Sequence, residues 1–158
     1  MAKYAQDDGT RSGGVVAMRE ALVRQVASHA PSEGENPTAV DGLVLFRHTE
    51  PSARHPAMCE PSLSVFVQGR KLINLGGTEY LCGGRSFLVS SIDVPIQSQI
   101  LEASETIPFL SFRLRLDMAA VQEVLSGDDL AEGGGASHGR GLALRRESGF
   151  ARLRREGR

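Results

Sequence analysis

The sequence predicts a mainly β fold: an antiparallel double-sheet barrel of the jelly-roll kind, with one helix before it and a short one after it. Three observations predict it. Between Leu43 and Leu116 the apolar residues recur with a period of two, as in a half-buried strand, and not with the helical 3.6. Six or more such runs succeed one another across Gly- and Pro-containing turns with no helical pattern between them, as in a sandwich or barrel. The chain has no tryptophan and only two cysteines, Cys59 and Cys82, which argues against an immunoglobulin sandwich and for a small jelly-roll or cupin-like barrel.

Each element follows from local chemistry. Residues 1–14, with small and charged side chains and the Gly13-Gly14 pair, are expected to be disordered. Val15, Met18, Leu22 and Val26 then recur at helical steps, and Pro31 ends that helix. Its stripe is expected to pack on the domain, with a partner contact as the other reading. PSEGENPTAVDG reads as a linker. Leu43–Phe46 and Ser62–Gln68 are strands. Arg70–Leu75 and Thr78–Cys82 flank Gly76-Gly77, where a tight hairpin needs positive φ at both turn positions. Ser86–Ser91, Ile96–Ala103 and Phe109–Leu116 follow as strands, and Asp117 caps a short helix carrying Met118, Val121 and Leu125. The domain so delimited runs over 15–126. Beyond it, 127–158 has no sustained period and is expected to be a disordered Arg/Gly-rich tail.

Composition narrows the function. With 158 residues, 41% hydrophobic and 23% charged, the chain fits one domain whose core needs neither disulfide nor metal. No apolar run approaches the roughly 18 residues of a membrane span. The start, MAKYAQDDGTRSGG, lacks the apolar stretch of a secretory signal, so a cytoplasmic protein without membrane contact is expected. A net charge of −1 disfavours nucleic-acid binding by the whole surface. From Gly133 to Arg158, however, seven arginines face only Glu147 and Glu156. That tail is expected to be solvated; its non-specific attraction to DNA is the weaker reading.

The stretch from Asp41 to Leu125 resembles the N-terminal domain of AraC-type transcriptional regulators. The resemblance rests on GLVLFR, CEPSLSVFVQGRKLINLGGTEY, SFLVSSIDVPIQSQILEAS and PFLSFRLRLD, motifs that fall in the family's order. It implies a cupin-like barrel that binds a small-molecule effector or mediates dimer contacts, and so regulates a C-terminal DNA-binding domain. The family's pair of helix-turn-helix units is not found after Leu125, so sequence-specific DNA binding by this chain is not expected. The Arg-, Gly- and Ser-rich tail is what a GC-rich frame yields out of register, and a truncated or frameshifted regulator is the expected origin. What then remains is effector binding and a homodimer, or a mixed dimer with an intact regulator, through Val121, Leu125 and the first helix stripe.

A stand-alone cupin enzyme, an isomerase or metal-dependent dioxygenase, is the alternative. It needs two histidines one residue apart, a carboxylate soon after and a later histidine. His48 and His55 are separated by a Pro-containing loop, and Cys59 and Glu60 do not complete such a set. No metal or other cofactor is expected, and no nucleophile motif is found. Neither cysteine has a guaranteed cation to activate it, and both are read as structural. Ligand-binding candidates are Phe66, Gln68, Tyr80, Gln97 and Arg113. Of two strand orientations the second is the expected one. If Ser64/Phe66/Gln68 and Ser111/Arg113/Arg115 point inward, they offer hydroxyls, an amide and a guanidinium to an anion. The usual rule instead puts Leu110, Phe112, Leu114 and Leu116 in the core and the arginines in water.

Overall fold

The computed structural model describes residues 9–84, 86–126 and 142–146. A helix α1 (Gly9–His29) leads into β1 (Gly34–Pro37), β2 (Leu43–His48), β3 (His55–Cys59), β4 (Ser62–Gln68), β5 (Arg70–Leu75), β6 (Thr78–Gly83), β7 (Ser86–Ser90), β8 (Val94–Glu102) and β9 (Phe109–Arg115). Helix α2 (Met118–Ser126) and β10 (Leu142–Arg146) follow. The strands form two antiparallel sheets. One has six strands in the order β1-β2-β9-β4-β7-β10, the other four in the order β3-β8-β5-β6. They face each other as a jelly-roll-like double layer without closing into a barrel.

Two apolar layers hold this arrangement. Between the sheets lie Cys59, Phe66, Ile73, Cys82, Leu88, Ile100 and Phe109. On the other side of the six-stranded sheet, Val23, Val26 and Ala27 of α1 pack over Val65, Val67, Leu110 and Phe112. The central strands β4 and β9 are therefore covered on both faces, which explains why their outer residues Val65, Val67, Leu110 and Phe112 are apolar.

Several elements depart from the sequence reading. Helix α1 begins at Gly9, not Val15, and runs through Gly13-Gly14, because glycine weakens a helix without forbidding it. Its stripe divides: Val26 is buried on the sheet, whereas Val15, Met18 and Leu22 stay exposed, Met18 at 75%. Part of the expected linker is β1, paired with β2 from Gly34↔Arg47 to Pro37↔Val44. Buried Asn36 supports it by donating to the carbonyls of Ser32 and Gly34 and accepting from Ser32 N–H. His48 ends β2 and His55 begins β3, a strand the sequence reading did not expect, with the Pro-containing loop between them. Within the stretch expected to be an irregular tail, Leu142–Arg146 pairs with β7, whose edge can accept any extended segment without a hydrophobic period. The rest of 127–158 lies outside the described residues, as do residues 1–8 of the N-terminal stretch.

The hairpin and the cap form as the sequence predicts. Gly76 and Gly77 have φ of 56° and 86° between β5 and β6. Asp117 Oδ1 accepts from the Ala119 and Ala120 N–H groups at 2.9 and 3.3 Å.

One glycine sets how the chain crosses between sheets. Gly69 joins β4 to β5, just past an irregularity in the β4–β9 register, with φ of 77°. A Cβ there would lie 2.5 Å from the Glu102 carbonyl oxygen and 2.9 Å from Phe109 Cα. Both neighbours are backbone and cannot swing away. Gly69→Ala is expected to lower stability by about 2–4 kcal/mol, combining left-handed strain with a backbone clash. Urea unfolding followed by circular dichroism measures it; a loss under ~0.5 kcal/mol would show that the corner is not tight.

Candidate functional site

Alternation decides which side chains meet between the sheets. On β9 the inward set is Phe109, Ser111 and Arg113, and on β4 it is Ser62, Ser64 and Phe66, with Ser64↔Arg113 and Phe66↔Ser111 in register. Lys71 and Ile73 face inward from β5, and Ile96, Ser98 and Ile100 from β8, with Ile73↔Ser98 paired. A cavity of about 360 Å3 remains between them. Its walls combine apolar side chains, Phe46, Phe66, Ile73, Leu88, Ile96 and Phe109, with polar ones, among them His48, His55, Ser64 and Ser111.

Two cations face this space from opposite sheets. The Arg113 guanidinium lies over the Phe46 ring, 5.3 Å from its centroid, and Lys71 Nζ lies 6.0 Å from the Phe109 centroid. Neither has a carboxylate partner among the described residues; the ion pairs there are His48–Glu33, Arg54–Glu79, Arg70–Glu102 and Arg115–Asp41. The single carboxylate on the lining is the exposed Glu35. Burial pushes the Lys71 pKa below the ordinary lysine value; the Cys82 and Cys59 thiols oppose that shift, and Arg113 adds to it.

Hydroxyls complete the polar set. Ser62, Ser86 and Ser90 each donate to a nearby backbone carbonyl, at 2.7, 2.8 and 2.6 Å. Ser98 differs: it is 1% exposed, lines the cavity, and its Oγ has no hydrogen-bond partner among the described residues. A buried hydroxyl left so is costly unless something in the cavity meets it. Burial also raises the Cys59 pKa, with Ser90, Arg113, Lys71 and Ser62 opposing, so Cys59 sits in the wall as a thiol and not as a nucleophilic thiolate. Among the described residues no three His, Cys, Asp or Glu side chains gather as metal ligands.

A wider cleft of about 800 Å3 opens at the sheet edge between Arg19, Arg70, Glu102 and Ile107. Of its two arginines one is already matched, since Arg70 Nε lies 3.2 Å from Glu102 Oε2 in an exposed pair, whereas Arg19 has no carboxylate partner among the described residues. The smaller interior cavity, with unmatched cations, is the stronger site.

A profile of the family described as AraC-type transcriptional regulator N-terminus matches residues 39–148. The chain belongs to this family. No match is found among curated proteins or among solved structures. The matched stretch of this AraC-type regulator domain contains β2 to β10 and hence most of the cavity wall, while α1 and β1 precede it.

The candidate residues read from the sequence separate. Phe66 and Arg113 line the cavity of the AraC-type domain. Gln68 does not; its Nε2 donates to the Pro108 carbonyl at 2.8 Å and it borders the outer cleft. Tyr80 packs half-buried against the inner apolar cluster, off the lining. Gln97 is exposed, because its neighbours Ile96 and Ser98 take the inward positions of β8 on either side of it. The expectation that the arginines of β9 are wet fails for Arg113 and holds for Arg115, whose side chain is 61% exposed beside Asp41. Leu110 is buried as expected, but under α1 and not between the sheets.

Sequence reasoning missed Lys71 and Ser98. Strand parity was the available signal: Lys71 shares a face with Ile73, and Ser98 with Ile96 and Ile100. Lys71 gives a direct test of the unmatched charge. Its proton is held less tightly in the folded chain than in the unfolded one, so wild-type stability rises with pH between the lowered folded value and the usual lysine value. Lys71→Met is expected to lack that rise and to melt about 2 °C or more above wild type at neutral pH. Thermal unfolding from neutral pH to above the usual lysine value checks both; a variant less stable than wild type at neutral pH would mean that the charge is matched.

Proposed function

We propose that this AraC-type domain is the effector-binding part of a regulator and takes a small anionic molecule into the cavity between its sheets. The observation that carries this reading is the pair Arg113 and Lys71, two cations facing one cavity with no carboxylate partner among the described residues. An anion placed there gains charge-assisted hydrogen bonds that the described residues do not already supply. The orphaned Ser98 hydroxyl adds a further partner, and the phenylalanines hold an apolar body.

Because Arg113 belongs to the six-stranded sheet and Lys71 to the four-stranded one, an anion reaching both favours one separation of the sheets. That differential affinity is the form an allosteric signal requires. The role is regulatory and not catalytic, and cytoplasmic. The helices of the described chain are not long and apolar enough to cross a membrane. Small carboxylates such as benzoate or pyruvate are expected to raise the unfolding temperature of the domain. Arg113→Met is expected to weaken that binding by roughly 10- to 100-fold, the loss of hydrogen bonds to a charged group, while Gln97→Ala leaves it unchanged. Titration calorimetry on both variants decides; equal loss in the two, or none in either, removes the cavity from consideration.

Self-association fits the same domain, as a homodimer or with an intact regulator. The exposed Val15, Met18 and Leu22 form an apolar line on the part of α1 that lies ahead of its packed segment. Apolar side chains grouped on one exposed helix face can form a contact surface, here for a second copy. Met18→Glu is expected to move the protein from dimer to monomer in sedimentation equilibrium at tens of micromolar; an unchanged mass would place any dimer contact elsewhere.

A further inference from the structure

We infer that Lys71 captures carbonyl compounds as a reversible imine, so that the ligand of the cavity is a small oxo acid whose carboxylate pairs with Arg113. This rests on the reading of the cavity as an anion site and adds the chemistry of its second cation.

Geometry carries the inference. Lys71 lies on the wall of a cavity of about 360 Å3, with Phe66, Ile73, Leu88 and Phe109 beside it and Ser98 and Arg113 on the same lining. No carboxylate lies in ion-pair range of its amine among the described residues, and the nearest aromatic face is Phe109, at 6.0 Å to the centroid. A largely buried lysine beside phenylalanines, with a second cation facing the same cavity, is the arrangement that favours the neutral, nucleophilic amine. The burial that lowers its proton affinity acts in the same direction.

Residue choice points the same way. The chain has only two lysines, Lys3 and Lys71, and uses arginine for every other fixed cation. For holding a carboxylate alone, the arginine fork is the better group, as Arg113 offers on the facing sheet. What lysine can do in that cavity, and arginine cannot, is give up its proton and bond to carbon. The phenylalanine walls suit an oxo acid with an aromatic or branched body.

The step balances without oxidant or reductant. The Nζ lone pair adds to the carbonyl carbon, and the carbonyl π electrons move to oxygen. The oxygen takes up both amine hydrogens and leaves as water, while the C–N bond becomes C=N. Water reverses the sequence.

Borohydride trapping on the full chain tests this. With pyruvate or phenylglyoxylate as probe, intact mass and peptide mapping are expected to show one reduced adduct, on Lys71. It should form at least about tenfold faster than any adduct on Lys3 or the N-terminal amine. Lys71→Arg and Lys71→Met, each first shown to be folded by its thermal transition, are expected to give none there. Arg113→Met should slow trapping of pyruvate but not of propanal, which has no carboxylate to pair. Adducts confined to Lys3 and the N-terminal amine overturn the inference. If lactate and pyruvate both raise the unfolding temperature and neither is trapped, the cavity stands as an anion site and the imine falls. If neither stabilises and neither is trapped, both readings fall for this class of acid.

Discussion

The packing of α1 on the outer face of the six-stranded sheet is the constraint on which the rest depends. Val23, Val26 and Ala27 cover Val65, Val67, Leu110 and Phe112, so the apolar faces of β4 and β9 are buried without using the space between the sheets. A small antiparallel double layer normally spends its inner face on a continuous apolar core. Here the helix supplies a second core, and the inner face can hold Ser64, Ser111 and Arg113 opposite Lys71 and Ser98. Without α1, the same alternation would expose Leu110 or force Arg113 into water.

That division has an energetic consequence. The inner apolar cluster of Phe66, Ile73, Cys82, Leu88, Ile100 and Phe109 holds the sheets together, and the cavity interrupts it with groups that oppose folding. An unmatched lysine and an unpartnered hydroxyl are each destabilising in a low-dielectric interior. Such groups persist where binding uses them, and a ligand that satisfies them stabilises the folded state by mass action. Gly69 belongs to the same design. It turns the chain from one sheet to the other within contact of Glu102 and Phe109, and so brings Phe66 of β4 and Lys71 of β5 to opposite walls of one space.

Much of this was legible in the sequence. The period of two between Leu43 and Leu116 determined β2 and β4 to β9 but not β3, Gly76-Gly77 the hairpin and Asp117 the last cap, because each depends on local dihedral and hydrogen-bonding preferences. The motifs from GLVLFR to PFLSFRLRLD pointed to the AraC-type family that the match over 39–148 establishes. Phe66 and Arg113 could be named because alternation gives two faces, one of them carrying them both in register with serines.

Which face looks inward was not legible. Alternation fixes that Arg113 opposes Leu110 across the strand, but both faces of β9 are covered, one by a helix distant in sequence and one by a second sheet. Gln97 and Ser98 differ by a single register step, and only the pairing of β8 with β3 and β5 decides which enters the cavity. The meeting of Lys71 with Arg113 is likewise a property of two sheets and not of any segment. Local sequence therefore determined the elements and the family, through preferences that act over a few residues. The cavity and its two facing charges were decided by long-range packing, which sets what each face of a strand meets.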